Sequence, residues 1–189
     1  VFCANIAVCA DNVQLVQRLH RMAYQDRLVQ LPNRTAFVEA IDAALQRDEA
    51  EGLAVALLDI DQFAETNEAF GYVYGDALLR AVAERLSAAF PPPCHVARVS
   101  NDTFGLIGPA ALLTPEGLLD GFHTPFILPE GEHRATASAG LVHLGDPALR
   151  AQQGADILEN CYVALKHAKA AGHGSHAHYT PAFGLAVRE

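Results

Sequence analysis

Leu53-Ala54-Val55-Ala56-Leu57-Leu58-Asp59-Ile60-Asp61 is an apolar run that ends in two carboxylates. The run is short, aliphatic and bounded by Glu51-Gly52, which predicts a buried strand over residues 53–60. A carboxylate at the mouth of a buried strand is costly to desolvate unless a partner compensates it. Two readings of Asp59 follow. It opens the next loop, or it holds a hard cation such as Mg²⁺, which prefers oxygen ligands and often arrives with a phosphate.

Outward from this strand the chain alternates strands and helices. Gly75-Asp76 predicts the start of a helix with Leu78, Leu79, Val82, Leu86 and Phe90 inward, stopped by Pro91-Pro92-Pro93. His95 to Val99 and Phe104 to Ile107 read as a hairpin around the tight turn Ser100-Asn101-Asp102-Thr103. Residues 109–132 are broken up by Pro and Gly and yield no clear element, whereas residues 134–142 read as a strand of small residues. Residues 156–171 read as a helix closed by Gly172, and residues 176–180 as an edge strand. Upstream, Asn33 or Thr35 can cap a helix whose buried face is Phe37, Ile41, Ala44 and Leu45. Val13, Val16, Leu19 and Ala23 form a helical stripe of the kind that joins a sensor to an output domain, and apolar residues 1–10 read as a preceding strand or linker. The pattern suits an α+β chain with a ferredoxin-like β-α-β-β-α-β core, its central sheet mostly antiparallel and flanked by helices.

Composition narrows the class. Of the 189 residues, 51% are hydrophobic and only 19% charged, which predicts an ordered globular protein. The net charge of −9 argues against a nucleic-acid surface. No apolar stretch reaches the length of a membrane span, and none reads as a signal peptide. The chain begins at Val1 rather than Met, so a piece of a longer protein is expected. Cys3, Cys9, Cys94 and Cys161 lack metal-site spacing and suit a reducing cytoplasm.

Several segments stand in a telling order: Asp26-Arg27-Leu28-Val29-Gln30-Leu31-Pro32-Asn33-Arg34, then Asp59 with Phe63, Asn67 and Gly71, then Gly75-Asp76, the hairpin turn, and Ala164-Leu165-Lys166-His167-Ala168-Lys169-Ala170-Ala171-Gly172-His173. This set resembles the GGDEF domain, the diguanylate cyclase fold of bacterial cyclic-di-GMP signalling, over residues 22 to 180. The resemblance implies a nucleotide-cyclase fold over residues 26–180, with a linker or signalling helix in residues 1–25 and a further linker in residues 181–189. It implies that Asp59 and Asp102 hold Mg²⁺ against GTP phosphates. It also implies that Asn67 and Asp76 read guanine, whose N1–H and N2–H₂ donors a carboxylate can accept. Lys169 matches a phosphate-contacting lysine, Arg98 a basic residue before the signature, and His173 stands where the family carries Arg. Imidazole is mostly neutral at pH 7 and lacks the guanidinium fork, so the phosphate grip is expected to be weaker.

The departures are as informative. The signature Gly-Gly-Asp/Glu-Glu-Phe reads Ser100-Asn101-Asp102-Thr103-Phe104. Asn101 is expected to tolerate a left-handed turn while adding a side chain where phosphates pass. Thr103 stands at the position of the Glu needed for cyclisation and has neither its charge nor its basicity, so no catalytic residue is assigned. Tyr72 replaces the usual His, Val29-Gln30 replaces Thr-Gly, and Pro91-Pro92-Pro93-Cys94 occupies the Arg-x-x-Asp product-inhibition segment. Three functions remain in view. The first is a GTP-binding regulatory domain between an upstream sensor and a downstream EAL phosphodiesterase domain. The second is a working cyclase that joins two GTP molecules across a homodimer, and the third a structural dimerisation module. His173, His176 and His178 also invite a metal reading, with no acidic or Cys partner near in sequence.

Overall fold

β1 (Leu53–Ile60) is buried along its whole length except at Leu53, as a strand covered on both faces must be. It pairs antiparallel with β3 (Thr103–Pro109) on one side and with β6 (Ala137–His143) on the other. β2 (His95–Arg98) lies outside β3, and β7 (His176–His178) runs parallel along β6, giving the order β2-β3-β1-β6-β7. The computed structural model describes residues 15, 18, 21–46, 50–149, 151–181 and 183. Across them run the helices α1 (Arg34–Leu45), α2 (Phe63–Phe70), α3 (Tyr72–Ala89), α4 (Pro115–Asp120) and α5 (Gly154–Ala171). A separate hairpin pairs β4 (Phe126–Leu128) with β5 (Gly131–His133). The first four strands of the large sheet have the ferredoxin-like order, and α5 with β7 extends it.

Strand alternation divides the core in two. Ala54, Ala56, Leu58 and Ile60 pack with α3 residues Leu78, Leu79, Val82 and Leu86. Val55 and Leu57 face the other way, against Phe37 and Ile41 of α1 and Ile157, Leu158, Cys161 and Leu165 of α5. Helix α5 lies close over β6 because Gly140 has no side chain. A Cβ there would sit 2.4 Å from the Leu165 nitrogen and 2.5 Å from the Cys161 oxygen, and backbone cannot swing aside. Asn33 caps α1, its side chain accepting from the Ala36 N–H at 3.1 Å.

The structure corrects several expected boundaries. Helix α3 starts at Tyr72, so Gly75-Asp76 lies within it rather than at its start. Helix α2 was not expected; it has eight residues and buries only Phe63, too little for a periodic stripe. β6 starts at Ala137, and residues 134–136 are not strand. The unassigned stretch 109–132 contains α4, β4 and the start of β5. Arg85 of α3 holds it, donating to the carbonyls of Gly121, Thr124 and Pro125 at 2.6–2.8 Å and stacking 3.7 Å from the centre of the Phe126 ring. Residues 1–10, most of the Val13–Ala23 stripe and residues 184–189 lie outside the described residues, although Leu15, Arg18 and residues 21–24 are helical. Cys94 and Cys161 are buried free thiols. No helix among the described residues is long and apolar enough to cross a membrane.

Candidate nucleotide and metal site

Asp59 and Asp61 occupy alternate positions at the end of β1, on the face covered by α5. Lys169 lies one helical turn beyond Leu165, and its ammonium reaches Asp59 Oδ1 at 2.5 Å. On the other side Thr103 is the register partner of Asp59 across β1 and β3, and its hydroxyl donates to Asp59 Oδ2 at 2.9 Å. Ser100 donates in turn to Thr103 Oγ1 at 2.9 Å. Both oxygens of Asp59 therefore have a donor.

Asp61 is still more engaged. Its Oδ1 accepts from Ser138 at 2.7 Å, and its Oδ2 from Thr136 at 2.7 Å and from the Gly174 N–H at 2.8 Å. The His173 ring lies 3.8 Å from Oδ1. Asp61 thus ties the start of β6 to the loop that leads from α5 to β7. Local sequence gives no signal for Thr136, Ser138 or Gly174 as partners of Asp61.

The signature turn folds without left-handed residues. Positive φ outside glycine occurs, among the described residues, at Gln30 (58°) and Gln62 (56°), so Asn101 does not use the left-handed geometry it could tolerate. The turn closes through the Val99 and Ser100 N–H groups, both donating to the Thr103 carbonyl, and the Ile60 N–H donates to the Asp102 carbonyl at 3.2 Å. Arg98 is committed to this architecture. Its guanidinium donates to the Asn101 carbonyl at 2.6 Å and to both Asp26 oxygens at 3.1–3.2 Å. Asp26 in turn accepts from the Leu28 and Val29 N–H groups. Arg98 therefore braces the turn against the 26–31 loop.

Asp102 is half-buried beside Asp59. Burial, and then the negative charge of Asp59, push its carboxyl above the usual range, while Lys169 and Arg98 pull less strongly the other way. Two carboxylates close enough for the charge of Asp59 to act on Asp102 form a donor set that fits a hard cation. Among the described residues, no three His, Cys, Asp or Glu side chains gather as a metal-holding group. Of the three histidines, His176 and His178 lie edge to face at 6.2 Å, and the His173 ring is 3.8 Å from Asp61.

Asn67 and Asp76, the residues expected to read the base, sit on α2 and α3 near their junction. Asn67 packs against Gly75 so closely that a Cβ on Gly75 would lie 1.9 Å from Asn67 Oδ1. That oxygen is buried and has no hydrogen-bond partner among the described residues. Asp76, next to Gly75, is half-buried and has no hydrogen-bond or ion-pair partner among the described residues. Two clefts lie elsewhere: one of about 570 Å³ beside Asp61, Thr66 and Arg134, and one of about 290 Å³ between α4 and His176. Asn67, Asp76 and Asp59 line neither of these two clefts.

Comparison with known proteins matches these features to one family. The model of the family described as "Diguanylate cyclase, GGDEF domain" matches residues 23–175. The chain is 30% identical to the bifunctional diguanylate cyclase/cyclic di-GMP phosphodiesterase MucR of Pseudomonas aeruginosa, over 98% of this chain and 28% of that protein. It is 32% identical to the cyclic di-GMP phosphodiesterase NbdA of the same organism, over 82% of this chain and 20% of that protein. The chain thus spans under a third of these relatives. A solved structure comprising only the GGDEF domain of TpbB, also from Pseudomonas aeruginosa, superposes with a TM-score of 0.77 at 27% identity, covering 88% of this chain and 100% of that one.

Proposed function

This chain belongs to the GGDEF family of diguanylate cyclase domains, and on that premise we propose that it binds a guanine nucleotide as a regulatory domain without making cyclic-di-GMP. The observation that carries this reading is Thr103. Its hydroxyl stands at the position where the family it resembles carries the Glu needed for cyclisation, and it is spent on Asp59 at 2.9 Å. An alcohol of ordinary acidity does not take a proton from a ribose 3′-hydroxyl at neutral pH. The base end supports binding. A buried amide oxygen and a half-buried carboxylate, both without partners among the described residues, are groups that a guanine edge can satisfy.

In this reading Asn67 and Asp76 hold the base, and Lys169, with a weaker contribution from His173, faces the phosphates. Arg98 positions the turn instead of touching the nucleotide. Mg²⁺, when bound, is held by Asp59 and Asp102 and neutralises phosphate charge. The domain works in the cytoplasm, between a sensor and an EAL phosphodiesterase domain of a longer protein. The names of the two relatives, a bifunctional cyclase/phosphodiesterase and a phosphodiesterase, support that setting.

The test is incubation with GTP and Mg²⁺, measuring retained nucleotide and cyclic-di-GMP together. The expected result is GTP retained in preference to ATP, weakened by Asp76→Ala, with no product. GTP-dependent product that Asp59→Ala abolishes would instead make the domain a working cyclase. Equal retention of GTP and ATP would remove the guanine assignment.

A further inference from the structure

We infer that Lys169 is a built-in counter-cation: without nucleotide, its ammonium takes the place of a divalent cation on Asp59, so cations bind here together with nucleotide rather than before it. The inference rests on the guanine-nucleotide reading only for the identity of the ligand that releases the lysine. Its basis is the order in which the carboxylate oxygens are already engaged. Asp59 Oδ1 faces the Lys169 ammonium at 2.5 Å, and Oδ2 accepts from Thr103 at 2.9 Å. Asp61 has three donors of its own and is tied into β6 and the loop after α5. That leaves Asp102, a single carboxylate, against one lysine.

A dication entering alone would have to displace the ammonium from Asp59 and leave it without an anion. The Asp59 carboxylate is largely shielded from water, so a dication entering alone gains there only what it offers beyond the ammonium it displaces. A nucleotide removes that obstacle. Its phosphates accept the lysine while the dication takes the carboxylates, so every charge keeps a partner. Lys169 is suited to the exchange because its side chain is 45% exposed while that of Asp59 is 9% exposed, so the ammonium can turn outward without being buried elsewhere. The coupling is reciprocal: whatever the nucleotide adds to cation affinity, the cation adds to nucleotide affinity. Thr103 contributes to the arrangement, because its hydroxyl donates to Asp59. A carboxylate at that position would instead add a third acid and favour the cation alone.

The experiment is equilibrium dialysis against Mn²⁺ with the bound metal read by electron paramagnetic resonance, on the wild type, Lys169→Gln, Lys169→Arg and Thr103→Glu, each checked for folding by thermal unfolding. Without nucleotide, Lys169→Gln is expected to bind Mn²⁺ about three- to tenfold more tightly than the wild type. Thr103→Glu should move the same way, and Lys169→Arg, which keeps the cation, should stay near the wild type. Unchanged or weaker Mn²⁺ binding in Lys169→Gln overturns the inference, as does a Lys169→Arg variant that binds as tightly as Lys169→Gln. Adding GTP to the wild type should raise the Mn²⁺ retained by the protein. If Lys169→Gln tightens the metal while GTP changes nothing in the wild type, the counter-cation stands and the guanine-nucleotide reading falls.

Discussion

The two ends of the site are built on opposite terms. At the end of β1, Asp59 and Asp61 together accept from Lys169, Thr103, Ser138, Thr136 and Gly174, and each carboxylate oxygen has at least one donor. At the α2–α3 junction, Asn67 Oδ1 and the Asp76 carboxylate have no partner within the described residues. Polar groups that satisfy each other stabilise the fold and resist a ligand. Groups left open cost stability and are ready for one. The carboxylates at the end of β1 have thus been drawn into the architecture, while the polar groups of Asn67 and Asp76 have not.

This contrast predicts unequal responses to mutation. The largest effect is expected from Asp61→Ala, which strands two hydroxyls and an N–H, one of them on the fully buried Ser138. Chemical unfolding should show a loss of about 3 kcal/mol. A loss below about 1 kcal/mol would mean that Asp61 is not part of the fold's support.

Gly75→Ala should do the reverse. Its new methyl would meet the end of the Asn67 side chain, at 1.9 Å, with the Phe63 ring at 3.2 Å. The amide can swing away, and alanine is the better helix former, so stability is expected to stay within about 1 kcal/mol of the wild type. GTP retention, measured by the same dialysis, is expected to fall about tenfold, as when a buried polar contact to a base is misplaced. Unaltered retention would separate Asn67 from base reading.

The smallest effect concerns pH. His178 stacks on His143 at 5.3 Å and lies 6.2 Å from His176. Burial, and then the charges of His143 and His176, hold its imidazole below the ordinary value, with Glu116 pulling the other way. The unfolded chain therefore takes up the proton first as pH falls. The stability from neutral His178 is fully present above about pH 6.5 and is lost as pH falls from there toward the lower folded value. Amide exchange, corrected for intrinsic rates, should show β7 less protected at acid pH, with β1 unchanged. Because β7 follows the His173-Gly174 loop held by Asp61, that loop should feel this change and the α2–α3 junction should not. Equal protection of β7 across that window would remove the link.

Much of the molecule could be read from local pattern. The apolar run into Asp59 predicts the central strand, because a strand buried on both faces requires aliphatic residues at every position. The Leu78-to-Phe90 stripe, the Asn33 cap and the hairpin are likewise short-range signals. The resemblance to the GGDEF domain, now borne out by the family match, names the candidate acids Asp59 and Asp102. The α2–α3 break and the segment held by Arg85 left no such trace, since the first buries one side chain and the second depends on carbonyls 36 to 40 residues away.

The state of each site residue is a different matter. Residue type placed an acid at Asp61 and a base at Arg98 and Lys169. Whether each group faces a ligand or another side chain depends on which strands and helices meet around it. Register sets Thr103 beside Asp59, the close seating of α5 over Gly140 brings Lys169 to the same carboxylate, and the fold of the 26–31 loop takes Arg98. Donors separated by 44 and 110 residues from their shared acceptor leave no mark in local sequence. The chain's order of residues specified the chemistry available at this site, and long-range packing decided which of those groups are already spent.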